Sequence, residues 1–217
     1  MIADHVKAAV FDLDGTLVDT EPGNRVRWTR LFDTYGASYD DALIASFAGR
    51  RGREVLADLV HLFPGRTVDE LLREVVSYEL GPDVLDAVPV PGAVPLVRSI
   101  SAEGVPIGVV TSGGRRYAEE QLTRLGILGL FGVVITADDV AEGKPSPEGF
   151  LAACARLDVA PDQAVAFEDA PAGVAAAKAA GMPTVGVATT QTPSALAAAD
   201  LVVADLTEVT WPPEFGG

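Results

Sequence analysis

The chain has 217 residues, 48% of them hydrophobic and 22% charged, enough to bury a core and too apolar for a disordered chain. A formal net charge of -15 sets the overall field against a nucleic-acid backbone, so no nucleic-acid partner is expected, although a small anionic substrate is not excluded. A single cysteine rules out an internal disulfide, and no stretch reaches the roughly 18 apolar residues of a membrane span. A cytoplasmic protein with no membrane partner is the expectation.

The first element is a short apolar run, Ala8 to Phe11, that ends directly in acidic residues and reads as a buried strand. His5, just before it, lies in a polar stub. Residues 19–88 show no strand pattern. Pro22 suits a first helical turn, Trp28, Leu31, Phe32 and Tyr35 recur at helical spacing, and Gly36 stops the run. Leu43, Ile44 and Phe47 form a second apolar face; Val55, Leu56, Leu59, Val60 and Phe63 form a third, with His61 on it, ended by Pro64-Gly65. Thr67 and Glu70 make a capping box for a fourth helix, which carries Leu71, Leu72, Val75, Val76 and Leu80 up to Gly81-Pro82.

After residue 88 the rhythm becomes strand and helix in turn. Apolar runs at 105–111, 133–136, 164–168, 183–187 and, more weakly, 201–203 alternate with helical patterns such as Tyr117, Leu122 and Leu125, closed by Gly126. Another is the alanine-rich segment 172–180, closed by Gly181. Cys154 shares helical spacing with Phe150, Leu151 and Leu157, which fits a small buried hydrophobe better than a reactive thiol. Such alternation predicts an α/β fold: a parallel sheet flanked by helices, built from residues 1–18 and 89–217. An all-helical module, 19–88, is inserted through linkers near 18–21 and 87–91. Ligands of such sheets sit at the carboxyl ends of the strands, where Asp12, Thr111 and Glu168-Asp169 fall.

Asp12 and Asp14, one residue apart after a strand, would repel each other if both were ionised and dry. Solvation, a proton or a cation must relieve that repulsion. Taken singly, each polar segment has a plain alternative. Asp12 to Gly15 could be a solvated turn, Thr111-Ser112-Gly113-Gly114 a strand-to-helix turn, Lys144-Pro145 an exposed loop, and Glu168-Asp169 a helix N-terminus where acids suit the dipole. Together they form a pattern.

Asp12-Leu13-Asp14-Gly15-Thr16 resembles the first motif of the haloacid-dehalogenase superfamily, and Val109-Val110-Thr111-Ser112 the second. Gly143-Lys144-Pro145 resembles the third, and Phe167-Glu168-Asp169-Ala170-Pro171-Ala172-Gly173 the fourth. The four occur in order, and the helical insert between the first two is similar to that superfamily's α-helical cap. The resemblance implies a Rossmann-like core and a phosphoester hydrolase using Mg2+. Asp12 is then the nucleophile that forms an aspartyl-phosphate, and Asp14 the general acid and base. Thr111, the Ser112 amide and Gly113 bind phosphoryl oxygens, and Lys144 neutralises charge. Asp169, Glu168, Asp12 and the Asp14 backbone carbonyl are the implied metal ligands. Dehalogenases of the superfamily lack both the second acid and the magnesium, so Asp14 and the Glu168-Asp169 pair point away from carbon–halogen cleavage.

Gly49-Arg50-Arg51-Gly52-Arg53-Glu54 resembles the substrate-specificity loop of capped relatives. Arg53 first, then Arg50, with Arg115 beyond the second motif, are the expected substrate contacts; the alternative is a solvated basic turn. Related phosphomutases carry a histidine where Asn24 stands and a Lys-Asn pair where Gly114-Arg115 stands. The expectation is therefore hydrolysis of a small phosphate ester, of sugar-phosphate type, by a monomer or weak homodimer. A phosphomutase and a non-catalytic binding module are the competing readings.

Overall fold

A computed structural model describes residues 5–78 and 88–215. Strands β1 (Ala8–Phe11) and β2 (Val18–Asp19) lead into four helices: α1 (Glu21–Tyr35), α2 (Asp41–Ala45), α3 (Gly52–Leu59) and α4 (Val68–Ser77). Strand β3 (Val88–Pro89) leads back to α5 (Ala93–Ala102), β4 (Ile107–Val110), α6 (Arg115–Arg124) and β5 (Val133–Ile135). Then follow α7 (Glu148–Leu157), β6 (Ala164–Glu168), α8 (Pro171–Ala179), β7 (Thr184–Val187) and β8 (Leu201–Val203).

The six-stranded sheet has the order β5-β4-β1-β6-β7-β8, and every neighbouring pair is parallel. Side chains alternate across it, as the pleat requires. Ala9 and Phe11 join the core under α5 and α6, while Ala8 and Val10 join the core under α7 and α8. Phe11 stacks on Phe167 of β6 with ring centroids 4.4 Å apart. Both faces are covered, which is why the strands read as continuous apolar runs. Cys154 is buried among α7 and α8, and burial pushes its thiol up to about 11, away from reactivity.

The segment between β2 and β3 has its own core, in which Phe32 meets Phe47 and Phe63 at centroid distances of 6.4 and 5.4 Å. Local signals set its helices. Pro22 sits in the first turn of α1 and Gly36 closes it with a left-handed φ of 62°. Thr67 and Glu70 complete the capping box of α4. The expected stop at Gly81-Pro82, Leu80, and the start of the second linker at residue 87 lie outside the described residues.

One feature was not anticipated. The chain's two passages between sheet and insert pair as an antiparallel ribbon, Val18 opposite Pro89 and Asp19 opposite Val88. Two strands running side by side satisfy each other's backbone groups and fix where the insert starts. No helix among the described residues is long and apolar enough to cross a membrane.

Candidate active site

The strand order reverses at β1, with β4 on one side and β6 on the other, and the crevice at such a reversal is where open α/β sheets bind ligands. Asp12 leaves β1 there, its amide donating to the Phe167 carbonyl at 2.9 Å. Thr111 follows β4, Glu168 ends β6 and Asp169 comes next. Asp12, Thr111, Lys144, Glu168 and Asp169 are all buried, and Asp14 is half-buried.

Lys144 organises the floor. Its ammonium donates to the carboxylates of Asp12 and Glu168 and, at 3.1 Å, to the Val110 carbonyl. Burial opposes its charge, but the two carboxylates outweigh that and raise its pKa overall. Asp12, held through one oxygen, keeps a buried Oδ2 with no hydrogen-bond partner. Its pKa lies well above the usual carboxylate range because of burial, with Lys144 opposing and Glu168, Asp169 and Asp14 adding to the rise. Asp169 is pushed up to about 8 by burial and by Glu168, although the Thr190 hydroxyl donates to it and pulls the other way.

Two glycines let this cluster close up. Gly15 has φ 88°, and a β-carbon there would lie 2.1 Å from Asp169 Oδ2. At Gly173, in the first turn of α8, a β-carbon would lie 1.9 Å from the Glu168 carboxyl carbon.

Asp14 sits toward the insert. The hydroxyls of Thr20, at 2.9 Å, and Tyr117 both donate to its Oδ1, and Thr111 donates at 3.4 Å to Oδ2. Asn24 in turn donates to the Thr20 hydroxyl at 3.2 Å. The Gly113 amide donates to the Thr111 hydroxyl at 3.0 Å, and the Ser112 hydroxyl donates to the Gly49 carbonyl of the insert at 2.7 Å.

Asp12, Glu168 and Asp169 each offer an oxygen, all within 4.8 Å of one another. Fully ionised, three carboxylates against one ammonium would carry two net negative charges, the complement of one divalent cation; without it, burial and mutual repulsion raise Asp12 and Asp169 instead. The unpartnered Asp12 oxygen is an open coordination point, and an all-oxygen donor set suits magnesium. The residues fit the ion.

The arginines of the insert have partners of their own. Arg53 pairs with Asp69 and is well exposed, and Arg50 pairs with Asp58, both within the insert. Arg115 pairs with Asp139 and Glu119. Arg51 is the arginine that crosses to the sheet side. Tyr117 was legible only as an apolar position of α6; that its hydroxyl reaches Asp14 depends on how α6 packs, and nothing in the sequence marks it.

Residues 9–187 match the family described as haloacid dehalogenase-like hydrolase. The chain belongs to that family. This hydrolase is 54% identical over 206 residues to validoxylamine A 7'-phosphate phosphatase of Streptomyces hygroscopicus subsp. limoneus, covering 95% of this chain and 97% of the relative. It is 34% identical to fructose-1-phosphate phosphatase of Escherichia coli (82% of this chain, 94% of the relative). It is also 32% identical to beta-phosphoglucomutase of Bacillus subtilis (94% and 92%). The crystal structure of beta-phosphoglucomutase from Clostridium difficile superposes with a TM-score of 0.79 at 27% identity, covering 95% of this chain and 94% of that one.

Proposed function

We propose that this hydrolase is a magnesium-dependent phosphatase that releases phosphate from a small phosphorylated sugar or sugar-like metabolite through an aspartyl-phosphate on Asp12. One observation carries the reading: Asp12 is buried at the end of the central strand with one oxygen pinned by Lys144 and the other left without a partner. A carboxylate held in that way is oriented for attack rather than for structure.

In the proposed reaction an Asp12 oxygen bonds to phosphorus as the ester P–O bond breaks, and Asp14 hands a proton to the leaving oxygen. A water then attacks the phosphoryl group, Asp14 takes its proton, and Asp12 is regenerated with free phosphate. Tyr117 and Thr20 both bind Asp14 Oδ1, leaving Oδ2 as the oxygen that carries the proton. Thr111, which touches Oδ2 only at 3.4 Å, turns its hydroxyl to the phosphoryl group, and the Ser112 amide binds a second phosphoryl oxygen. Lys144 neutralises charge on the same group. Asp12, Asp169, Glu168 and the Asp14 carbonyl would hold the magnesium ion, which when bound supplies charge stabilisation to the phosphoryl oxygens. The insert of residues 19–88 acts as a cap that shields the site from bulk water.

The phosphatase names of the two relatives above support the substrate class, and a mutase relative at 32% identity leaves isomerisation to be excluded on this chain's own residues. Asn24 binds Thr20, and Arg115 binds Asp139, so neither is placed as an acid, a base or a phosphate grip that a mutase would use to guard its phospho-enzyme. The test is phosphate release from a panel of hexose, hexitol and glycerol phosphates, with magnesium and with chelator. Magnesium-dependent release of free sugar is expected. Accumulation of a phosphate isomer in place of free phosphate would support the mutase instead.

A further inference from the structure

We infer that Arg51 and Glu54 of the insert are positioning residues for Lys144, so that docking of the insert and seating of the ammonium are one event; the inference rests on the phosphatase reading above. The side chain of Arg51, only 13% exposed, leaves the start of α3 and enters the loop between β5 and α7. It donates to the carbonyls of Ala141 at 3.0 Å, Val140 at 3.0 Å and Ala137 at 3.3 Å. Glu54 lies 3.7 Å from Arg51 and accepts from the Gly143 amide at 3.1 Å. The loop that delivers Lys144 is thus gripped from residue 137 to residue 143, and the next residue is the lysine.

The approach is close. A β-carbon on Gly143 would lie 2.7 Å from Glu54 Oε1 and 2.8 Å from Arg51 Cδ, so a larger residue here would displace these two side chains. Arg51 and Lys144 also line one small cavity together with Thr111 and Thr136. A guanidinium suits this task because its rigid planar fork holds donors on two separate nitrogens, spread far enough to reach carbonyls of three different residues. With its terminal nitrogens engaged by backbone, Arg51 organises the loop rather than gripping substrate. When the insert lifts, those carbonyls and the Gly143 amide turn to water, and the loop keeps only its bonds within the core, such as those from the Ala141 and Glu142 amides to Glu148 at 2.9 and 2.8 Å. Lys144 must meet three oxygens at the ends of three strands, β1, β4 and β6, and displacement of such a group by about an ångström costs up to about a hundredfold in rate. Docking of the insert therefore completes the seating of the active floor.

The test uses Arg51→Ala and Glu54→Ala in the full chain, with a hexose phosphate and the small ester p-nitrophenyl phosphate. The expected result is a fall in kcat of on the order of ten- to a hundredfold, alike on both esters, with KM little changed. Guanidinium ion at low concentration should restore part of the Arg51→Ala activity, which it would not do for a merely destabilised fold. Hydrogen exchange without substrate should show faster exchange across 137–144. Wild-type kcat in both variants, or a loss confined to the hexose ester, overturns the inference, and so does unchanged exchange of that loop in Arg51→Ala, whatever the enzyme's activity. A wild-type enzyme that releases phosphate from no ester would sink the phosphatase reading alone, because loop exchange is read without turnover.

Discussion

Asp169 shows what the fold spends on its acidic cluster. An isolated aspartate titrates near about 3.9, whereas burial and Glu168 hold this one near about 8. Between those values the folded protein binds more protons than the unfolded chain does, so stability falls as pH rises through that window. Metal-free protein should therefore lose melting temperature from about pH 5 to about pH 8, and magnesium should restore it, with a larger increment at the higher pH. A thermal melt with chelator and with magnesium checks this; an equal increment at both pH values would mean the ion does not bind the raised carboxylates. The acids were legible in the sequence because they cluster at the carboxyl ends of β1 and β6, and strand ends converge whatever the details of packing. Tyr117 and Arg51 were not. Their partners lie on other elements, Arg51 reaching carbonyls 86 to 90 residues away, and the sequence holds no record of how those elements dock.

The helices were placed by punctuation that the sequence displays, Pro22 and Gly36 for α1 and the Thr67/Glu70 box for α4. The β2–β3 ribbon escaped notice because two-residue strands have no periodicity to read, and Pro89 argues against a strand anywhere but at an edge. α8 illustrates why small residues recur in the fourth motif: Gly173 brings the helix backbone against the Glu168 carboxylate. Gly173→Ala should push that carboxylate off Lys144, lowering stability by about 1–3 kcal/mol and removing most activity. Denaturant unfolding with a kinetic assay checks this, and a fully active Gly173→Ala would mean that Glu168 does not hold the lysine in place.

At the level of the whole molecule, topology does the gathering. Reversal of strand order at β1 brings together residues 12, 111 and 168, far apart in sequence, and the loop before α7 adds Lys144 from the insert's side. A net charge of -15 surrounds a site meant for an anion, so the local cations and a bound dication must supply the attraction that the overall field does not. The central claim is that Asp12 takes the phosphoryl group, and it can be read directly. Wild-type protein mixed with magnesium and a turned-over sugar phosphate, quenched rapidly in acid and analysed by peptide mass spectrometry, should carry one phosphoryl group on the peptide containing Asp12, and Asp12→Asn should carry none and release no phosphate. Steady turnover by Asp12→Asn, or a phosphoryl group found on any other residue, would contradict the account.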